Sequence, residues 1–157
     1  MFADLLRIKK FREDAAEQAV KQAESVLAEK RQAVEDAKKA VTDHETFRIA
    51  EEARMFDEIK GREVKRERLD LMNEMIAILR SEELKLREEV IAVEKKVPPA
   101  EKKVQEAEAK HHEAVLATRK FEEFVAEQRA AEAKAAVAAE EAEIEEVSEA
   151  GFAARNR

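Results

Sequence analysis

The feature that most constrains this chain is a repeat. From Leu69 onward, residues return at alternating spacings of three and four: Leu69, Met72, Ile76, Leu79, Glu83, Leu86, Val90, Val93, Val97, Ala100, Val104, Ala107, His111, Ala114, Thr118, Phe121, Val125 and Gln128. The alternation lasts for about 60 residues, and a mean period near 3.5 lays such a row along one seam of an α-helix that supercoils left-handedly with a partner. Polar entries at Glu83, His111, Thr118 and Gln128 weaken the seam locally.

A second stretch, earlier in the chain, has the same period. Val20, Leu27, Val34 and Val41 stand seven apart, and Ala19, Val26, Ala33, Ala40 and Phe47 form a neighbouring row. Ala16, Ala23 and Ala37 fill positions between them, with Lys30 and His44 interrupting. These rows make one apolar stripe, and its small alanines let a partner helix approach closely. Asp4 is placed to cap the opening turn.

Gly61, in Met55-Phe56-Asp57-Glu58-Ile59-Lys60-Gly61-Arg62-Glu63-Val64-Lys65, is the only glycine in the first 150 residues. A glycine between two heptad arms marks the place where the chain can double back. The expected fold is therefore all-α, a long antiparallel two-helix coiled-coil hairpin with its turn near Gly61. As one coiled-coil domain, 1–157, it would comprise helix 1 over about 4–59, a tip at about 60–64, helix 2 over about 65–149 and a frayed tail over 150–157. With Gly61 as the tip, residues whose numbers add to about 122 face one another, so at about 1.5 Å per residue the first arm is roughly 85 to 90 Å long. Its N-terminus then lies near Phe121, and the second arm beyond that point has no partner within the chain.

Pro98-Pro99 falls inside the seam. Proline costs about 3 kcal/mol in a helix interior and disfavours helix in the residue before it. Yet the heptad register crosses the pair unchanged, which favours a kink at 97–99 with both prolines in the first turn of a restarted helix. The competing arrangement is a second hairpin here, giving a three-helix bundle. Beyond Gln128 the chain is rich in alanine, then acidic from Glu140 to Glu146, with Gly151 as a candidate C-terminal cap.

Composition narrows the function. Charged residues make up 43% of the chain and its 7 Phe are the only large aromatics, with no Trp and no Tyr, so a narrow seam rather than a thick core must supply the burial. A net charge of −7 speaks against nucleic acid as a partner, which demands a basic face. There is no cysteine, no leader-like apolar run at Met1–Lys10 and no window of roughly 20 apolar residues for direct membrane insertion. A soluble protein is expected, cytoplasmic or exported without a cleaved signal.

No catalytic residue, cofactor site or metal site is expected. The chain lacks a glycine-rich phosphate loop and a cysteine nucleophile. His111-His112-Glu113 resembles a metal cluster only on paper, because adjacent helical side chains diverge by about 100°. His111 is expected on the seam and His112 in solvent.

Charge and apolar patterning single out two surfaces. The cluster Arg7, Lys9, Lys10 and Arg12 is dense enough to dock an acidic partner, although in so charged a chain a solvated helical face gives the same pattern. Arg12 precedes Ala19 by seven residues and so would interrupt the seam. At the tip, Lys60, Arg62, Lys65, Arg66 and Arg68 outnumber Glu63 and Glu67. Just beyond it, Leu71, Met75 and Ile78 form a second apolar stripe off the main seam. That stripe is either the edge of a wide seam at a splayed tip or an exposed strip whose methionine suits an adaptable partner surface.

Three segments resemble a known family. Leu5-Leu6-Arg7-Ile8-Lys9-Lys10-Phe11-Arg12-Glu13-Asp14-Ala15-Ala16-Glu17 is similar to the opening of the YscO proteins of bacterial type III secretion. The stretch His44-Glu45-Thr46-Phe47-Arg48-Ile49-Ala50-Glu51-Glu52-Ala53-Arg54-Met55-Phe56-Asp57-Glu58 resembles the segment leading to their hairpin. Lys120-Phe121-Glu122-Glu123-Phe124-Val125 is similar to a patch late in their second helix. Pro98-Pro99 and the alanine-rich tail depart from the family pattern.

The resemblance implies a non-enzymatic stalk, like the flagellar relative FliJ, whose paired terminal ends enter a hexameric secretion ATPase and whose hairpin end points to the export-gate membrane protein. Secretion chaperones are further partners of the family. By position, Arg7, Lys9, Lys10 and Arg12 would face the ATPase. Arg62, Lys65, Arg66, Leu71, Met75 and Ile78 would face the gate, at the inner-membrane base of the apparatus. The alternatives are a chaperone-escort module and a generic coiled-coil scaffold that homodimerises through its tail.

Overall fold

The computed structural model describes residues 2–156. It is all-helical among them: α1 (Phe2–Ile59), α2 (Arg66–Glu94) and α3 (Val97–Arg155). The chain divides into two compact units, one of residues 18–108 and one of residues 1–17 with 109–157.

In the unit of residues 18–108, α1 runs antiparallel to α2 and the start of α3. Successive ion pairs give the direction and register: Arg31 with Glu101 at 3.8 Å, Lys38 with Glu94 at 3.8 Å, Glu45 with Arg87 at 3.8 Å, and Glu52 with Arg80 at 3.1 Å. As the α1 number rises, its partner's falls. The facing residues lie several positions further along the second arm than a tip at Gly61 alone implies. The length of the turn accounts for part of the shift. Residues 60–65 are all non-helical, and Lys65 is extended at φ −66° and ψ 143°, so the second arm begins only at Arg66.

Gly61 has φ 72°, in the left-handed region that closes many helix ends. The Lys60 N–H still donates to the Phe56 carbonyl at 3.0 Å, and the Arg62 N–H donates to Ile59 O at 3.2 Å, so two carbonyls of the last turn are satisfied.

The seam reads out as burial. Every position of the second-arm repeat from Met72 to Val125 is buried or half-buried, and only its ends, Leu69 and Gln128, are exposed. On α1, Val20, Ala23, Leu27, Lys30, Val34, Ala37, Val41 and His44 all face inward to some degree. Leu27, Ala100 and Val104 form a packed cluster with Ala23 and Val97. The neighbouring α1 row behaves differently: Val26, Ala33 and Ala40 are half-buried, but Ala19 and Phe47 at its ends are exposed. That row is a flank of the stripe, and a row of strict period seven drifts off a straight helix by about 20° per heptad.

The cluster of Leu27 with Ala100 and Val104 also decides between a kink and a second hairpin. Residues beyond the prolines keep packing on α1, so the chain does not reverse. The interruption is the two-residue turn Lys95–Lys96, slightly ahead of the expected 97–99. Pro98 and Pro99 would press their rings against the carbonyls of Glu94 and Lys95, four residues earlier, and this ends α2 at Glu94. The Lys95 N–H still reaches Ile91 O at 3.2 Å and the Lys96 N–H reaches Val93 O at 3.1 Å. Both prolines then sit in the first turn of α3, where a missing N–H costs nothing.

In the other unit, α1 over residues 2–17 packs against α3. The Phe2 ring lies 6.2 Å from that of Phe121 and 5.8 Å from that of Phe124. The Thr118 hydroxyl donates to its own helix at Ala114 O, 3.0 Å away, and also lies 3.4 Å from Lys9 O across the seam. Asp4 lies within the first turn rather than at the cap, because α1 already begins at Phe2, and it sits 3.8 Å from Arg7. Beyond Val125, α3 continues fully exposed to Arg155, passing through Gly151 and past the expected end at 149. High helix propensity in the alanine-rich run carries it, and one glycine costs only about 1 kcal/mol.

Gly61→Ala should cost about 1–2 kcal/mol, because an added Cβ meets nothing within 4 Å and only the left-handed backbone resists it. Gly61→Asn should cost less, since asparagine tolerates that conformation. Thermal unfolding of the two variants checks the order, and equal stability of Gly61→Ala and wild type would contradict it.

Candidate functional site

The unit of residues 18–108 carries a charged layer inside its seam. Glu83 occupies a seam position and is 8% exposed. Facing it is Arg48, whose Nε lies 2.8 Å from Glu83 Oε2. The Arg48 guanidinium also donates to Glu52 Oε2 at 3.2 Å, Arg80 donates to Glu52 Oε1 at 3.1 Å, and Arg87 donates to Glu83 Oε1 at 3.3 Å. His44 Nε2 lies 3.3 Å from Glu82 Oε2, while its Nδ1 is buried without a hydrogen-bond partner among the described residues. One heptad nearer the turn, Arg54 bridges Glu51 and Glu58 on its own helix.

These contacts set protonation. Loss of water pulls the Arg48 pKa down, but Glu83 and Glu52 together outweigh it and hold the guanidinium above its ordinary value. The Glu52 carboxyl is held below the usual carboxylate range, chiefly by the hydrogen bond from Arg80. Glu51 is lowered chiefly by the hydrogen bond from Arg54.

Sequence reasoning missed this layer. It followed the row ending in Phe47 and so passed over Arg48. Glu83 was the available signal, because a carboxylate on a buried seam needs a cation opposite it. Arg48 is that cation, seven residues after Val41 and seven before the buried Met55.

At the turn, Arg62, Lys65 and Arg66 are exposed and make no ion pair among the described residues, whereas Arg68 reaches Glu58 at 3.6 Å. Leu71 is 56% exposed, Met75 43% and Ile78 57%, so the stripe is an exposed strip and not a widened seam. It borders an open groove of about 320 Å³ whose wall includes Arg54, Met55, Glu58 and Ile59.

The N-terminal cations lie in the other unit and are only partly engaged. Arg7 approaches Asp4 with both side chains largely in solvent. Lys9 Nζ sits 5.5 Å above the centre of the Phe121 ring, and Lys10 is 3.9 Å from Glu122. Arg12 is exposed and has no ion pair among the described residues, and it does not interrupt the seam, which passes through Lys9, Glu13 and Ala16. His111 is half-buried on the seam and His112 is exposed. Among the described residues no group of three or more His, Cys, Asp or Glu could hold a metal ion, and no helix is long and apolar enough to cross a membrane.

The charged layer predicts a specific mutational pattern. Arg48→Met alone should lower the melting temperature, because it removes the cation between two shielded carboxylates and leaves each with only a more exposed arginine; Arg48→Met with Glu83→Leu should recover most of the loss. The depressed Glu52 pKa adds a pH dependence. Stability from Glu52 is fully present above the ordinary carboxylate pKa and is lost as pH falls through the lower folded value. Melting curves from neutral to acid pH should therefore show a shallower decline in Glu52→Gln than in wild type; parallel declines would contradict the assignment.

Comparison with known proteins bears on the fold and the family. No curated protein matches the chain. Among solved structures, the crystal structure of type III secretion protein YscO from Vibrio parahaemolyticus is similar, with a TM-score of 0.79, 28% identity, and coverage of 93% of this chain and 92% of that one. The family model described as type III secretion protein YscO matches residues 2–150. The chain therefore belongs to the YscO family of type III secretion proteins.

Proposed function

We propose that this protein is the non-enzymatic central stalk of a type III secretion apparatus, binding the hexameric secretion ATPase and the export gate and promoting hydrolysis and export. The ATPase contact is made in the unit that holds both termini, by Arg7, Lys9, Lys10 and Arg12. The gate contact is made at the turn, by Arg62, Lys65 and Arg66 with the strip Leu71, Met75 and Ile78. The work is done at the cytoplasmic face of the inner membrane.

The observation that carries this reading is the state of the turn. In a chain of net charge −7, the cations Lys60, Arg62, Lys65 and Arg66 there have no ion-pair partner among the described residues, and the adjacent apolar strip is open to solvent. Both suit a partner surface of acidic and apolar character. A stalk can alter an ATPase ring only if it binds the states of the ring's subunits with different affinities. An asymmetric helical pair meets each subunit of a ring differently, which supplies that difference.

Charge reversal tests the assignment of the two contacts. Replacing Arg7, Lys9, Lys10 and Arg12 by Glu should abolish co-sedimentation with the ATPase and leave gate binding intact, and Leu71→Asp with Met75→Asp should do the converse. ATPase binding unchanged by the first variant would remove that docking site. Binding of secretion chaperones but of neither larger partner would favour the chaperone-escort role instead.

A further inference from the structure

The four cations at the start of α1 differ in what holds them. Arg7 faces Asp4, Lys9 lies over the Phe121 ring, and Lys10 approaches Glu122. Arg12 has no ion pair among the described residues, and it stands beside an apolar surface. Leu5, Ile8 and Phe11 on α1 are exposed, Phe11 to 72%, and so is Phe124 on α3. At about 100° per residue, Leu5, Ile8, Phe11 and Arg12 fall within an arc of about 120° on α1, and Lys10 lies about 160° from Ile8. On α3, Lys120 lies about 40° from Phe124, and Glu122 about 160° from it. The Lys10–Glu122 pair therefore marks one flank of the α1–α3 pair, and Leu5, Ile8, Phe11, Arg12, Lys120 and Phe124 make up the other. The Phe2 ring, 5.8 Å from that of Phe124, joins the two helices beside it.

Single exposed apolar side chains are ordinary, but four that adjoin make a surface suited to a partner. The charges within it are Arg12 and Lys120, and Lys120 too has no ion pair among the described residues. Carboxylates stand only at its edges: Asp4 beside Arg7, and Glu123 and Glu127 around Phe124. A surface that covers it must be apolar at its centre and carry carboxylates of its own. We propose, on the strength of the stalk reading, that the ATPase contact is anchored on this flank. Phe11 enters an apolar depression on one subunit of the ring, Leu5, Ile8 and Phe124 close around it, and Arg12 and Lys120 meet carboxylates at the rim. The opposite flank presents Arg7, Lys10, Asp14, Arg119 and Glu122, and no exposed large apolar residue among the described residues. The helical pair is thus two-faced in cross-section. It holds the subunit that its apolar flank meets and only brushes the others, which is the unequal contact a stalk needs to bias a ring.

Binding of the full chain to the cognate secretion ATPase, titrated and read by co-sedimentation, tests the proposal. Ile8→Ala with Phe11→Ala should weaken binding at least about tenfold, as loss of a central apolar anchor does at other interfaces. Arg12→Glu with Lys120→Glu should weaken it comparably. Arg7→Glu with Lys10→Glu, on the other flank, should change it by no more than about twofold. These side chains are exposed, so the folded chain survives the changes, and circular dichroism with thermal melting verifies this. Suppose that reversing Arg7, Lys9, Lys10 and Arg12 together abolishes binding while Ile8→Ala with Phe11→Ala leaves it unchanged. The stalk reading then stands and the apolar anchor is overturned. Equal losses from the two charge-reversed pairs overturn the sidedness, and a wild-type chain that does not bind the ATPase overturns both the anchor and the stalk reading.

Discussion

Apolar burial along one narrow seam is the interaction on which the described structure depends. Each layer contributes little, because alanine and valine dominate and, among the described residues, no large side chain is fully enclosed. A seam this uniform resists separation better than it resists sliding, since neighbouring layers look alike. The Arg48–Glu83 layer differs from all the others. A shielded ion pair adds little net stability over an apolar pair, but its loss on sliding leaves charges unpaired, so it favours one register. Glu52, Arg80 and Arg87 extend the layer, and Glu45 reaches Arg87 from the facing helix.

The two interruptions have their causes in backbone chemistry. At Gly61 the left-handed conformation closes α1, and four further residues pass before α2 begins. At Lys95–Lys96 the cause lies downstream, in two prolines that cannot tolerate helix four residues behind them. The first interruption reverses the chain and the second does not. The difference is readable in the residues after each break: beyond Lys96 the apolar row resumes in phase, so the restarted helix finds the same α1 surface waiting.

Helix content, the position of the turn and the second-arm seam were legible in the residues, because a strict three-four spacing has few other structural solutions. The pairing register was less so. It depends on how the two helices leave the turn, and Lys65, expected as the start of the second helix, is extended instead. The charged layer was half legible: Glu83 was recognised on the seam, but Phe47 drew attention away from Arg48 beside it. Periodicity alone ranks a phenylalanine above an arginine for burial, and here the arginine faces inward because a carboxylate waits for it. Exposure of Leu71, Met75 and Ile78 needed coordinates, since an apolar stripe at helical spacing serves a wide seam as well as a docking strip.

Membership of the YscO family assigns the protein to type III secretion, and unpaired cations and an exposed apolar strip stand at the turn. The central claim is that the chain acts on its ATPase by binding. It is tested most directly by the hydrolysis rate of the cognate secretion ATPase, with and without this protein, near the concentration at which the hexamer assembles. The account predicts stimulation that saturates at about one chain per hexamer, because a stalk that binds one set of subunit states more tightly must shift the ring toward them. An unchanged rate together with unchanged assembly would contradict it.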